Sequence, residues 1–112
     1  MSESEILKEC KLAATKCGAR LFRNNCGVAV YQSGHRVKYG LCTGSSDLIG
    51  WTPRVIQPDD VGRLVAVFTA IETKQPGKRP TAAQQNFIER VLEAGGIAAV
   101  ATNCEDVEQV LS

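Results

Sequence analysis

The sequence predicts an α/β fold, a three-layer sandwich, and three observations lead there. Leu64-Val65-Ala66-Val67-Phe68, continued by Ala70-Ile71, is apolar on both faces, as a central strand covered on both sides would be. Two segments carry helical apolar spacing: Ile6, Leu7, Cys10, Ala13, Ala14 and Cys17 near the start, and Phe87, Ile88, Val91 and Leu92 further on. After the second of these, Gly95-Gly96 leads into the apolar run Ile97 to Ala101, a strand reached by a crossover and so suited to parallel pairing with the earlier one. The expected order is αββββαβα, with a central mixed β-sheet flanked by helices. The 112 residues, 44% of them hydrophobic and without repeats or low-complexity tracts, are expected to form one domain over 1–112.

Each element has a local reason. Ser2 and Glu5 have the spacing of a capping box at the start of the first helix, and Gly18 stops it. Ala19 to Arg23, Val28 to Tyr31 and Arg36 to Tyr39 read as strands, the last two joined as a hairpin around Ser33-Gly34. Leu48 to Trp51 is another short strand. Thr52 to Gly62, with Pro53, Pro58 and Asp59-Asp60, reads as a connector. Gln75-Pro76-Gly77-Lys78-Arg79-Pro80 is a loop, after which Thr81 and Gln84 repeat the capping-box spacing at the second helix. A closing helix, Glu105 to Leu111, starts near Thr102 or Asn103.

Composition narrows the class. A net charge of +1 is not the strongly basic balance of many nucleic-acid binders, but twelve cations from Lys8 to Arg79 precede the acidic Glu105, Asp106 and Glu108, so a basic face can coexist with a neutral total. The five cysteines are odd in number and lack a Cys-x-x-Cys pair, and the chain has neither a signal peptide nor a run long enough to span a bilayer. They read as reduced, mostly buried thiols of an intracellular protein. One histidine and no paired spacing argue against zinc. A thiol enzyme built on His35 lacks any motif that marks a nucleophile.

The chemistry is concentrated in Glu72-Thr73-Lys74. In a strand Glu72 and Lys74 project to one side, which places a carboxylate and an ammonium together. Upstream, Asp47 ends the small turn Gly44-Ser45-Ser46 and opens a short apolar strand. Two acids at strand ends can chelate a hard divalent cation, while a neighbouring lysine orients water or stabilises charge on a phosphate under attack.

Asp47 with Glu72-Thr73-Lys74 resembles the Asp, Glu-x-Lys core of the PD-(D/E)xK nuclease superfamily, although no proline precedes Asp47. The ordered set Phe22-Arg23-Asn24-Asn25-Cys26-Gly27, Gly44 to Gly50, Glu72-Thr73-Lys74, Gln84 and Gly95-Gly96 resembles the VRR-NUC domains within it and covers nearly the whole chain. The resemblance implies a restriction-endonuclease-like fold and metal-dependent hydrolysis of DNA phosphodiesters, with Mg²⁺ or Mn²⁺ held by Asp47, Glu72 and the Thr73 carbonyl. Lys74 would assist the attacking water. A helix-one acid would join them, Glu3 in preference to Glu5, because Glu5 closes the capping box. It further implies a stand-alone, phage-type nuclease that acts as a homodimer on branched DNA such as Holliday junctions.

Several residues carry two readings. Gln84 is a cap partner for Thr81 on spacing alone, whereas the family pattern assigns it to the catalytic site. Arg23 and Asn25, with Ser46, could contact the sugar-phosphate backbone, or the Asn-Asn-x-Gly segment could simply be a turn. Lys78 and Arg79 suit a solvated loop that could also track a phosphate backbone. Trp51 reads as core or dimer interface, and Asp59 and Asp60 as turn formers ranked below Asp47. A non-catalytic nucleic-acid-binding module on the same fold is the alternative to an enzyme.

Overall fold

Side chains supply the acceptors that the start of each helix lacks. In the computed structural model, which describes residues 2–112, helix α1 (Glu3–Lys16) begins at Ser2. The Ser2 hydroxyl accepts the Glu5 N–H and the Glu5 carboxylate accepts the Ser2 N–H, closing the expected box. Gly18, with φ of 86°, takes the left-handed conformation that ends the helix. Strand β1 (Arg20–Arg23) follows and packs against α1. β2 (Gly27–Val30) and β3 (Arg36–Tyr39) form an antiparallel hairpin, with Val28 opposite Lys38. β4 (Leu48–Trp51) pairs antiparallel with β1, with Phe22 opposite Ile49 and Arg23 opposite Leu48. A side chain at Gly50 would run into the Arg20 carbonyl, so glycine is what lets these strands approach. Phe22 and Trp51 meet at 5.4 Å between ring centroids, which gives the single tryptophan a packing role in this unit.

The first compact unit ends at Thr52, and the second is Pro53–Ser112. In the second, the connector makes one 3-10 turn, Pro58–Asp60, before β5 (Thr69–Thr73). α2 (Ala82–Glu93) leads to β6 (Ile97–Ala101) and then α3 (Cys104–Leu111). β5 and β6 run parallel, with Glu72 beside Val100 and Thr73 beside Ala101. α2 and α3 both pack on β6, where Ala98 and Ala101 are small enough to let helices close in. Val91 is fully buried there with Ile88 beside it in α2, and Asn103 caps α3 by accepting the Asp106 N–H.

Four expectations change. Five strands precede α2, one more than the order αββββαβα counts, although each falls in or overlaps a segment that the sequence marks as a strand. Among the described residues the strands form three two-stranded ladders: β1 with β4, β2 with β3, and β5 with β6. The apolar run does not form a strand along its length. β5 starts at Thr69, Leu64 is 100% exposed, and Val65 and Val67 are exposed too. A strand extends only as far as its partner, and β6 begins at Ile97, whose N–H reaches Phe68 O at 2.9 Å; nothing in that ladder is left for residues 64–67. Finally, all five cysteines are exposed. The α1 stripe is covered mainly at Leu7 and Ala14, which leaves Cys10 and Cys17 in the open, while Cys26 and Cys42 lie in segments between strands and Cys104 starts α3.

Candidate active site

β5 ends at Thr73, yet the chain stays in register one residue longer, because the Lys74 N–H donates to Ala101 O at 3.0 Å. That bond holds Lys74 on the same side as Glu72. Their side chains form an ion pair, Nζ to Oε1 3.7 Å, at 21% and 31% side-chain exposure. Partial burial leaves the pair less screened by salt than an open surface pair. A carboxylate and an ammonium thus meet at the carboxyl end of a parallel strand, a common place for ligand sites in open α/β sheets.

Glu72 lines a cleft of about 450 Å³ with Ala70, Ile71, Ala83, Gln84, Phe87 and Ile88. Gln84 thus shares a cleft with Glu72, and its Oε1 accepts the Thr81 N–H at 2.9 Å while the Thr81 hydroxyl accepts the Gln84 N–H at 3.1 Å. The side chain serves as a cap and as cleft lining at once. Lys74 also borders a hollow with Thr73, Thr102, Asn103 and Val107.

In the first unit, Asp47 lines a cleft of about 340 Å³ with Ser46, Leu48, Ile6, Leu7, Cys10 and Glu3. Glu3 and Asp47 thus line the same cleft. Glu5 is bound to the Ser2 N–H and does not line that cleft. The turn bearing Asp47 is held by Asn24, which the sequence had offered only as a donor beside Arg23 or as part of a turn. Its amide donates to Ser45 Oγ at 2.7 Å and Ser46 O at 2.9 Å, its carbonyl oxygen accepts the Leu41 N–H, and its own N–H donates to Asp47 O. The only hint was the turn chemistry of Asn24-Asn25. Beside it, the Ser45 hydroxyl lies 3.0 Å from Cys26 Sγ and, with backbone hydrogen bonds from Cys42 and Leu41, holds the thiol below its ordinary range.

Arg23 Nε donates to Asn25 Oδ1 at 2.6 Å, so these two side chains engage each other beside the turn. Lys78 and Arg79 are exposed in a loop whose turn is closed by the Lys78 N–H to Gln75 O bond. His35 stacks on Tyr31 at the hairpin, with ring centroids 6.3 Å apart, and its N–H meets Ser33 Oγ.

The candidate ligands, the carboxylates of Glu3, Asp47 and Glu72 and the Thr73 carbonyl, are all hard oxygen donors. They fit Mg²⁺ or Mn²⁺ and do not suit a soft ion. Among the described residues no three His, Cys, Asp or Glu side chains gather into a ready-made cage. Magnesium does not need one, since it keeps several waters and takes one or two carboxylates along with substrate phosphates. Nor does any helix among the described residues have the length and apolarity to cross a membrane.

A second residue that sequence reasoning underrated is Asp60. Its side chain is 3% exposed and accepts from Arg54, Arg63 and the Gln57 N–H. Arg54 first, then the Gln57 N–H and Arg63, hold its carboxyl below the usual carboxylate range. Its position in a Pro-rich connector disguised it as a turn former.

No curated protein and no solved structure matches the chain. The family model of the VRR-NUC domain matches residues 13–103, a span that contains Asp47, Glu72, Lys74 and Gln84. With most of its length matched in this way, the chain belongs to the VRR-NUC domain family and carries a nuclease-type domain.

Proposed function

We propose that the protein is a Mg²⁺- or Mn²⁺-dependent endonuclease that hydrolyses DNA phosphodiester bonds. The observation that carries this reading is the Glu72–Lys74 pair at the end of β5, in a chain whose family is that of nucleases. Asp47, Glu72 and the Thr73 carbonyl are the proposed ligands, and Glu3 is the helix-one acid that shares a cleft with Asp47. When bound, the ion polarises the phosphoryl oxygen and offsets the charge that builds on it. Lys74 orients the attacking water and adds a fixed positive charge toward the developing phosphorane oxygens. Gln84 donates through its amide, while its oxygen keeps the cap.

Arg23, Asn25, Lys78 and Arg79 offer donors suited to phosphate oxygens, so contacts to phosphates and to DNA shape are the proposed basis of recognition. Branched DNA is therefore the proposed substrate, cut by a homodimer whose two-fold axis matches a roughly two-fold junction. Arg23, Asn25, Ser46, Lys78 and Arg79 are the proposed backbone contacts.

The test is incubation with linear, flap, splayed and four-way DNA in Mg²⁺, Mn²⁺ or EDTA, with Lys74→Ala as control. Metal-dependent product, richest on the four-way junction and lost in the control, is expected. No metal-dependent product on any substrate would leave a nucleic-acid-binding module and overturn the enzyme. Sedimentation that shows a monomer at cleavage concentrations would remove the paired-cut geometry.

A further inference from the structure

Arg54 Nη2 and Arg63 Nη1 each lie 2.8 Å from the same oxygen, Asp60 Oδ1, while Oδ2 accepts the Gln57 N–H at 2.9 Å. The two guanidinium nitrogens are thus no more than twice that distance apart. Asp60 is turned inward at 3% exposure, whereas the arginines are 60% and 59% exposed. One carboxylate between two guanidinium groups leaves a surplus of one positive charge. Each guanidinium has five N–H donors and meets Asp60 through one nitrogen, so most of its fork points elsewhere. A solitary surface ion pair would be neutral. This one is built around a buried anchor, and it holds two cations side by side against their mutual repulsion.

We infer that Arg54 and Arg63, set by Asp60, form a clamp for one backbone phosphate of DNA. Neighbouring guanidinium forks match the spread of phosphate oxygens, and their being held in place lowers the side-chain ordering that binding would otherwise require. The clamp rests on the reading of this chain as a DNA nuclease, but it is independent of the hydrolytic residues. Its contact is to the backbone and carries no sequence preference.

The experiment measures affinity for a labelled linear duplex and a labelled four-way junction in EDTA, over a range of salt, for the wild type, Arg54→Gln, Arg63→Gln and the double variant. Losing one phosphate contact should make the slope of log K against log salt shallower by about 0.9 in the double variant, with the same loss of affinity on unrelated sequences. An unchanged slope accompanied by a lower melting temperature would overturn the clamp and leave a purely structural clasp. Should the double variant fail to fold, Arg54→Gln decides, because Arg63 still anchors Asp60 there. Parallel cleavage by the wild type in Mn²⁺ separates the two readings. Cleavage with an unchanged slope sinks the clamp alone, and a shallower slope without cleavage sinks hydrolysis alone.

Discussion

Lys74 Nζ sits 3.7 Å from Glu72 Oε1 because a backbone bond from Lys74 to Ala101 extends the β5–β6 register past the end of the strand. The pair is therefore positioned by the parallel ladder and does not depend on a flexible loop. Lys74→Ala should reduce the single-turnover cleavage rate by about 10²- to 10⁴-fold, the usual worth of a positioned acid–base or charge-stabilising group. DNA affinity in EDTA should change little. A Lys74→Ala protein that cleaves at the wild-type rate would remove the residue from the chemistry.

Gln84 has two duties that one substitution can separate. Glutamate also closes a capping box, so Gln84→Glu should keep the melting temperature near that of the wild type, while Gln84→Ala should cost roughly 0.5 to 1 kcal/mol of stability. Replacing the amide donors with a carboxylate next to Glu72 should nevertheless lower cleavage at least tenfold, by an estimate of about 1.4 kcal/mol in the barrier. Unaltered cleavage by Gln84→Glu, measured beside its thermal melt, would confine Gln84 to capping.

Asn24 ties three points of the 41–46 turn through its side chain. At about 0.5 to 1.5 kcal/mol per net hydrogen bond, losing the three should destabilise Asn24→Ala by roughly 1.5 to 4.5 kcal/mol. Cleavage should fall as well, because Asp47 loses the turn that carries it. Chemical denaturation and a cleavage assay on the folded fraction check the two effects separately, and full activity in the folded fraction would show that Asp47 does not need this support.

Acid stability should report Asp60. Its carboxyl in the folded protein is held below the usual range, chiefly by Arg54, and so keeps its charge to lower pH than in the unfolded chain. The stability it contributes is complete above the unfolded value, near ~3.9, and drains away as pH falls through the lower folded value. Asp60→Asn should be less stable at neutral pH and should lose this part of the acid dependence. Parallel stability-versus-pH curves for the two proteins would contradict the assignment.

Much of this molecule was legible in local spacing. Ser2 with Glu5 and Thr81 with Gln84 close the boxes their intervals suggest, and the Ser33-Gly34 turn joins a hairpin, because capping and turn chemistry act within a few residues. The alternation that places Glu72 and Lys74 on one side is equally local, and so it survived to the structure.

What the sequence determined by itself was therefore the set of elements, their capped ends and the shared face of the Glu72–Lys74 pair. Only the tertiary structure decided where the long apolar run stops being a strand, since that depends on the length of β6, a segment almost thirty residues away in the chain. Tertiary structure likewise seated Glu3, the helix-one acid that the sequence preferred, in one cleft with Asp47, and made Asn24 the brace of the Asp47 turn. Each of these outcomes is a contact between segments brought together by folding, and no periodicity within either segment encodes which partner it will meet.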